Sequence, residues 1–173
     1  DGEGSKSISS AMRSIGQLAQ ISADKETLLI AFGGGTVSDH VGFVSSIFKR
    51  GIQYINIPTT LIGMIDASIG GKTALNIGDI KNQIGTFYQP SKIFIDLTFL
   101  DSMPKKIIQQ GLGEMFKYSI LDGKDIFDDF QEYLRETNPQ LLHKLIYDCC
   151  QLKLKIVQID ERDQNIRKTL NLG

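Results

Sequence analysis

The sequence predicts an α/β fold, a parallel-sheet layer followed by the start of an α-helical domain. Three observations predict it. Short apolar runs bounded by glycine or proline alternate with segments of helical periodicity through the first hundred residues. Twelve of the 17 glycines fall between Gly33 and Gly113, where the backbone must turn or approach a ligand closely. Beyond Pro104 the pattern becomes helical almost without interruption.

Each element follows in order. Ile8, Met12, Ile15, Leu18 and Ala19 keep helical spacing, which predicts a helix over residues 6–21. Residues 27–32 form a continuous apolar run too short for a helix, as a buried parallel strand would. Val37, Val41, Val44 and Ile47 return to helical spacing over 36–49. Residues 53–57 are the next strand, ended by Pro58, and 92–96 a third. The stretch between them is glycine-punctuated and reads as a long ordered loop, a type that tends to be functional. Helices are predicted over 104–121, 125–135 and 139–160, with Pro104 and Pro139 suited to helix starts. The domains are expected at residues 1–103 and 104–173, both incomplete.

Composition narrows the function. The chain has 173 residues, 41% hydrophobic and 23% charged, enough for one good core or two small ones. No apolar run approaches the roughly 20 residues that cross a bilayer, so no membrane partner is expected. With 19 Lys and Arg against 20 Asp and Glu there is no field for a polyanion, which argues against nucleic acid. Cys149 and Cys150 are adjacent and cannot staple distant segments, which suggests a reducing compartment and a cytoplasmic location. The chain starts at Asp1 without methionine and stops at Gly173, and it reads as a piece of something longer.

Several constellations carry chemistry. Gly33-Gly34-Gly35-Thr36-Val37-Ser38-Asp39 follows a strand and opens a helix, where free amides suit a pyrophosphate; the plainer alternative is a tight turn. Asp39, expected in the first helical turn, would contact a ribose or complement the helix dipole. Gly70-Gly71-Lys72-Thr73 is not a P-loop, because Asp66 stands where the first glycine belongs and no apolar strand leads in. A lysine on a glycine turn, with Asp66 upstream and Lys81-Asn82 downstream, suits a phosphorylated polyol. One of Thr59 and Thr60 is expected to cap a helix. Glu114 is either a metal ligand or an i,i+3 partner of Lys117. His40 and His143 read as helix-face residues, and no metal-ligand spacing of His or Cys occurs. Lys153, Arg167 and Asn171, among Asp160, Glu161 and Asp163, are either a solvated face or a grip for a carboxylate.

The order of motifs resembles the 3-dehydroquinate synthase family. It runs from Asp1-Gly2-Glu3 and Lys6 through GGGTVSD at 33–39, FKRG at 48–51 and IPTT at 57–60. It continues with IDASIGGKTALN at 65–76, KNQIGTFYQP at 81–90, GLGEMFKYSIL at 111–121 and the ending RKTLNLG. Each motif is modest alone, and eight in order are highly specific. The resemblance implies a Rossmann-like NAD-binding layer ahead of a metal- and substrate-binding helical domain. It also implies cyclisation of 3-deoxy-D-arabino-heptulosonate 7-phosphate to 3-dehydroquinate, with release of phosphate, in aromatic amino acid biosynthesis. NAD would be a bound catalyst, and zinc, or else cobalt, a Lewis acid.

Position by position, the resemblance implies NAD contacts from Asp1, Gly2, Glu3, Lys6, Gly33, Gly34, Gly35, Thr36, Val37, Ser38, Asp39, Thr59, Thr60, Lys72, Lys81, Phe99, Leu100, Asp101 and Ser102. It implies substrate contacts from Arg50, Asp66, Lys72, Asn82, Lys117, Lys153, Arg167 and Asn171, with catalytic roles for Lys72, Lys117 and Asp163 and metal ligation by Glu114. Lys153 and Arg167 resemble the carboxylate grip; Lys72, Asn82 and Asn171 resemble phosphate-side groups. Arg50 resembles an arginine that enters a neighbouring subunit's site, which implies a homodimer. Thr36 and Ser38 replace a valine and a glycine of the family's turn, and Asp163 replaces a longer glutamate. The family continues past N-L-G into histidine-bearing segments, so this stretch by itself is expected to be inactive. The alternatives are another sugar phosphate cyclase or, if the gene ends at Gly173, a non-catalytic nucleotide-binding module.

Overall fold

A computed structural model describes residues 2–172, so Asp1 lies outside the described residues. The chain packs as two compact units. The first comprises the described residues up to Thr59 together with Gly71–Asp96; the second comprises Thr60–Gly70 and the described residues from Leu97 onward. The sequence predicts a linear division into 1–103 and 104–173, whereas packing returns the chain to the first unit after an eleven-residue excursion.

In the first unit, α1 (Ile8–Gln20) begins at Ser7, whose hydroxyl accepts the Ser10 amide at 3.2 Å. β1 (Leu29–Gly33) and β2 (Tyr54–Pro58) pair in parallel, Leu29 opposite Tyr54 through Gly33 opposite Pro58. The crossover between them is α2 (Gly35–Ile47), as a parallel pair requires. Ala11 of α1, Val44 of α2 and Leu75 form a buried cluster on which Ile15, Leu18 and Leu29 pack. β5 joins β2 in parallel but covers only Lys92–Ile93, shorter than the predicted strand. The Phe94 amide still reaches the Asn56 carbonyl at 2.9 Å, after which the pairing stops.

The largest departure from the sequence reading is residues 72–87, predicted as loop. They form an antiparallel hairpin of β3 (Lys72–Ile77) and β4 (Ile80–Phe87), joined by Gly78-Asp79. Gly78 has φ +55°, the left-handed backbone that a two-residue hairpin turn demands.

The second unit opens at Thr60, whose hydroxyl accepts the Gly63 amide at 3.1 Å; Thr60 is the capping threonine. A single π-helical turn, Gly63–Ala67, follows and carries Asp66. Three helices build the rest: α3 (Lys105–Asp122), α4 (Lys124–Glu136) and α5 (Pro139–Ile159). Pro104 is the N-cap of α3, and Pro139 opens α5 behind Asn138, whose side chain accepts the Gln140 amide at 2.9 Å. Met64, Ile65, Met115, Leu145 and Cys149 are buried. No helix among the described residues is long and apolar enough to cross a membrane.

Candidate active-site residues in the two units

In the first unit the polar residues converge on the start of α2. Gly34 is its N-cap, and the Val37 and Ser38 amides bond back to the Gly34 carbonyl at 2.9 and 3.2 Å. A Cβ on Gly33 would meet Val37 Cγ2 at 2.6 Å, so the turn tolerates no side chain there. Thr59 is tethered beside it, its amide donating to the Gly33 carbonyl at 2.9 Å. A side-chain-free turn at a helix N-terminus, at the carboxyl end of a parallel strand, fits a dinucleotide pyrophosphate.

Asp39 is not in the first helical turn as predicted. It is the fifth residue of α2, too far along for a cap, and its carboxylate pairs with buried Lys6. Lys6 Nζ also donates to Asn82 Oδ1 at 2.6 Å. Glu3 accepts from Asn76 Nδ2 at 3.0 Å and from Thr36 Oγ1 at 3.3 Å. Those bonds, the Asn76 one foremost, hold the Glu3 carboxyl below its ordinary range against the opposing effect of partial burial. Asn76 Oδ1 accepts the Asn82 amide at 3.0 Å, which fixes Asn82 in a left-handed conformation of φ +56°. Asn76 thus ties Glu3 to Asn82. Sequence reasoning did not single it out, since its partners lie 73 and 6 positions away.

Other expected residues of this unit are more open. Lys72 begins β3 opposite Phe87 and is exposed, as is Lys81. Arg50 is exposed, and it and Lys49 adopt left-handed backbone, φ +66° and +51°. His40 Nε2 lies 3.0 Å from Ser14 Oγ, and burial lowers its pKa.

In the second unit charge is buried. Lys153, on α5, pairs with Asp66 Oδ1 and donates to the Asp66 main-chain carbonyl at 2.8 Å. Tyr118, fully buried on α3, donates to the same Oδ1 at 2.6 Å. Burial alone would raise the Asp66 pKa, but Lys153, the two hydrogen bonds and Lys117 bring it below the ordinary range. Burial depresses the Lys153 pKa despite Asp66, and it raises that of Tyr118, which Asp66 raises further.

Lys117 pairs with Glu114 one turn away, donates to the Leu170 carbonyl at 2.8 Å and lies 5.1 Å over the Tyr118 ring. Glu114 therefore has the i,i+3 partner that its spacing allowed. Glu114 and Lys117 wall an open depression of about 560 Å³ together with Phe116, Ile120 and Leu172. Arg167 is almost wholly buried, its guanidinium bonded to the Glu161 carbonyl and, at 2.9 Å, to the Gly70 carbonyl. Gly70 has φ +97°, and a Cβ there would overlap Arg167 Nη2, so only glycine allows the approach. Asp160 staples the following loop by accepting the amides of Gln164, Asn165 and Arg167. Asp163, left-handed at φ +56°, is half-buried, and Asn171 is exposed. Phe99, Leu100, Asp101 and Ser102 form a turn before α3, with Asp101 and Ser102 exposed. Among the described residues, no three His, Cys, Asp or Glu side chains come together as a metal site. Cys149 and Cys150 are buried thiols, Cys150 pushed up to about 11.

The architecture is that of the sugar phosphate cyclases. A 2-epi-5-epi-valiolone synthase from Streptomyces hygroscopicus subsp. jinggangensis 5008, solved with NAD+ and Zn2+ bound, superposes with a TM-score of 0.89 at 28% identity over 99% of this chain and 49% of that one. A 2-deoxy-scyllo-inosose synthase complexed with carbaglucose-6-phosphate, NAD+ and Co2+ gives 0.87 at 25% identity, covering 99% and 47%. The profile of the 3-dehydroquinate synthase N-terminal domain matches residues 1–110, and that of its C-terminal domain matches 111–173. The chain belongs to the 3-dehydroquinate synthase family. A 3-dehydroquinate synthase of Sulfurisphaera tokodaii (strain DSM 16993 / JCM 10545 / NBRC 100140 / 7) is 45% identical over 100% of this chain and 50% of its own length. The chain spans about half the length of the curated relatives it matches.

Proposed function

We propose that the protein to which this chain belongs converts 3-deoxy-D-arabino-heptulosonate 7-phosphate to 3-dehydroquinate and phosphate. One observation carries the reading. Asp66, Lys117, Lys153 and Arg167, which the resemblance assigns to substrate, are drawn into one unit although Asp66 and Lys153 are 87 positions apart. Two buried cations, Lys153 and Arg167, suit a substrate bearing a carboxylate.

When bound, NAD+ supplies reversible hydride acceptance, which acidifies a neighbouring C–H and permits β-elimination of phosphate. The chain's own residues bind and orient. The Gly33–Gly35 turn would take the pyrophosphate, and Asp39, positioned by Lys6, a ribose. Lys153 and Arg167 are the carboxylate grip, and Lys72, Asn82 and Asn171 are the phosphate-side groups. Lys72 and Lys117 are catalytic groups, and Asp163 handles a proton. Glu114 contributes one carboxylate donor for zinc or cobalt. The described residues do not complete a metal site by themselves, so no step is assigned to the metal. Residues 1–103 serve the nucleotide and 104–173 the metal and substrate, with Arg50, Asp66, Lys72 and Asn82 contributed to the substrate from the first stretch. Arg50 projects from a left-handed turn on an exposed surface, consistent with reaching a second copy in a homodimer. A cytoplasmic location accords with this biosynthetic role.

The experiment is phosphate release by the full-length protein with catalytic NAD+. Turnover of the carboxylated heptulosonate phosphate is expected, with loss of activity to chelators. The second reading, a cyclase for non-carboxylated sugar phosphates, is supported by the likeness to the valiolone and inosose synthases. Preference for a heptulose or hexose phosphate would establish it instead.

A further inference from the structure

Asp66 sits on a π-helical turn, a local geometry frequent at functional sites, and its side chain is 26% exposed. Its two carboxylate oxygens are unequal. Oδ1 takes both Lys153 and the Tyr118 hydroxyl, while among the described residues no side chain or amide bonds Oδ2. Tyr118 itself is fully buried, and its ring also carries Lys117 at 5.1 Å. One side chain therefore touches two of the residues assigned to substrate and reaches a third, Lys153, through Asp66. We infer that Tyr118 is a positioning residue: its hydroxyl locks the Asp66 carboxylate so that Oδ2 alone faces the ligand and Lys153 is held in register. The O–H···O⁻ distance of 2.6 Å is that of a charge-assisted bond, the class strong enough to fix a rotamer. A phenylalanine would keep the packing and leave Asp66 Oδ1 to Lys153 alone.

The inference rests on the proposed reaction and is tested on the full-length enzyme. Y118F should lower kcat/KM for the heptulosonate phosphate roughly tenfold, the loss typical of a hydrogen bond to a charged group. It should also move the acid limb of the pH profile upward, because a carboxylate that loses a donor protonates more easily. A role in packing alone would lower activity evenly across pH. Unchanged kcat/KM, or a uniform drop with the limb in place, overturns the inference. D66N/Y118F is also compared with D66N: equal kcat/KM supports positioning through Asp66, and a further tenfold loss contradicts it. If Y118F fails to fold, 3-fluorotyrosine labelling keeps the hydroxyl and makes it a stronger donor, so the acid limb should move downward, and an unmoved limb overturns the inference. Carboxyl titration of Asp66 by ¹³C NMR in wild type and Y118F reads the link without turnover. A wild type inactive on this substrate would sink the proposed reaction while leaving that titration to decide for or against Tyr118.

Discussion

The two units handle polar groups in opposite ways. In the first, Glu3, Thr36, Asn76 and Asn82 are linked by amide and hydroxyl hydrogen bonds near the surface, and Lys6 is the one deeply buried charge among them. In the second, Lys153 and Arg167 are cations withdrawn from water, and partly exposed Asp66 pairs with Lys153; each is held by another charge or by backbone carbonyls. Near-surface amides cost little to desolvate, while buried charges cost several kcal/mol unless fully partnered. Substitutions in the first unit should therefore register mainly in binding, and those in the second in stability as well.

The sharpest test of that contrast is Lys153→Ala. Asp66 would keep only the Tyr118 hydroxyl, and removing one partner of a buried pair should cost about 3 kcal/mol of stability in urea unfolding of the full-length protein. A loss under 1 kcal/mol would break the contrast. Gly70→Ala comes next. The added Cβ overlaps Arg167 Nη2 on a backbone of φ +97°, and the expected cost is about 2 kcal/mol with Arg167 displaced. An unchanged midpoint would mean that the Gly70–Arg167 approach is not needed.

Acid separates the units by degree. Asp66 and Glu3 both have folded pKa values below their ordinary ones, so each contributes stability that is full above about pH 4 and lost as pH falls toward the folded value. The Asp66 contribution should be the larger, because its partner is a buried charge. Asp66→Asn should therefore flatten the acid limb of the stability curve more than Glu3→Gln, and the reverse order would contradict the comparison. The smallest effect is expected for Asn76→Ala, about 1 kcal/mol, with the Glu3 carboxyl titrating closer to its ordinary range by NMR. The same variant should weaken NAD+ binding by more than its stability loss explains.

Much of this was legible in the sequence, and the rest was hidden for physical reasons. α1, α2 and β2 announce themselves because a face is buried, so periodicity records the packing, while β1 is legible only as an apolar run, since Ile30 and Phe32 on its second face are exposed rather than buried. β4 does not, since Ile80, Lys81, Asn82 and Gln83 are all exposed and leave no alternation to read. Its signal was the turn: Gly78-Asp79 between two β-capable runs is a two-residue hairpin connection. The interleaving of Thr60–Gly70 with the helical unit could not be read locally, because residues such as Leu61 acquire partners like Gly111 only in three dimensions. The charged residues of the candidate site came from motif order, which preserves function without showing contacts. Tyr118 and Asn76 stayed unseen because each looks ordinary in its own element, an aromatic on a helix and a polar residue on a strand. What distinguishes them are bonds to residues 52 and 73 positions away.

In the proposed function the buried cations of the second unit serve a carboxylated sugar phosphate. The most direct measurement is phosphate release by the full-length protein from 3-deoxy-D-arabino-heptulosonate 7-phosphate, beside the matching heptulose phosphate without the carboxylate. Rapid release from the first and at least a hundredfold less kcat/KM on the second, roughly the discrimination of a site built for a polar group against an analogue that lacks it, is predicted. Equal turnover of the two, or preference for the second, would contradict the account.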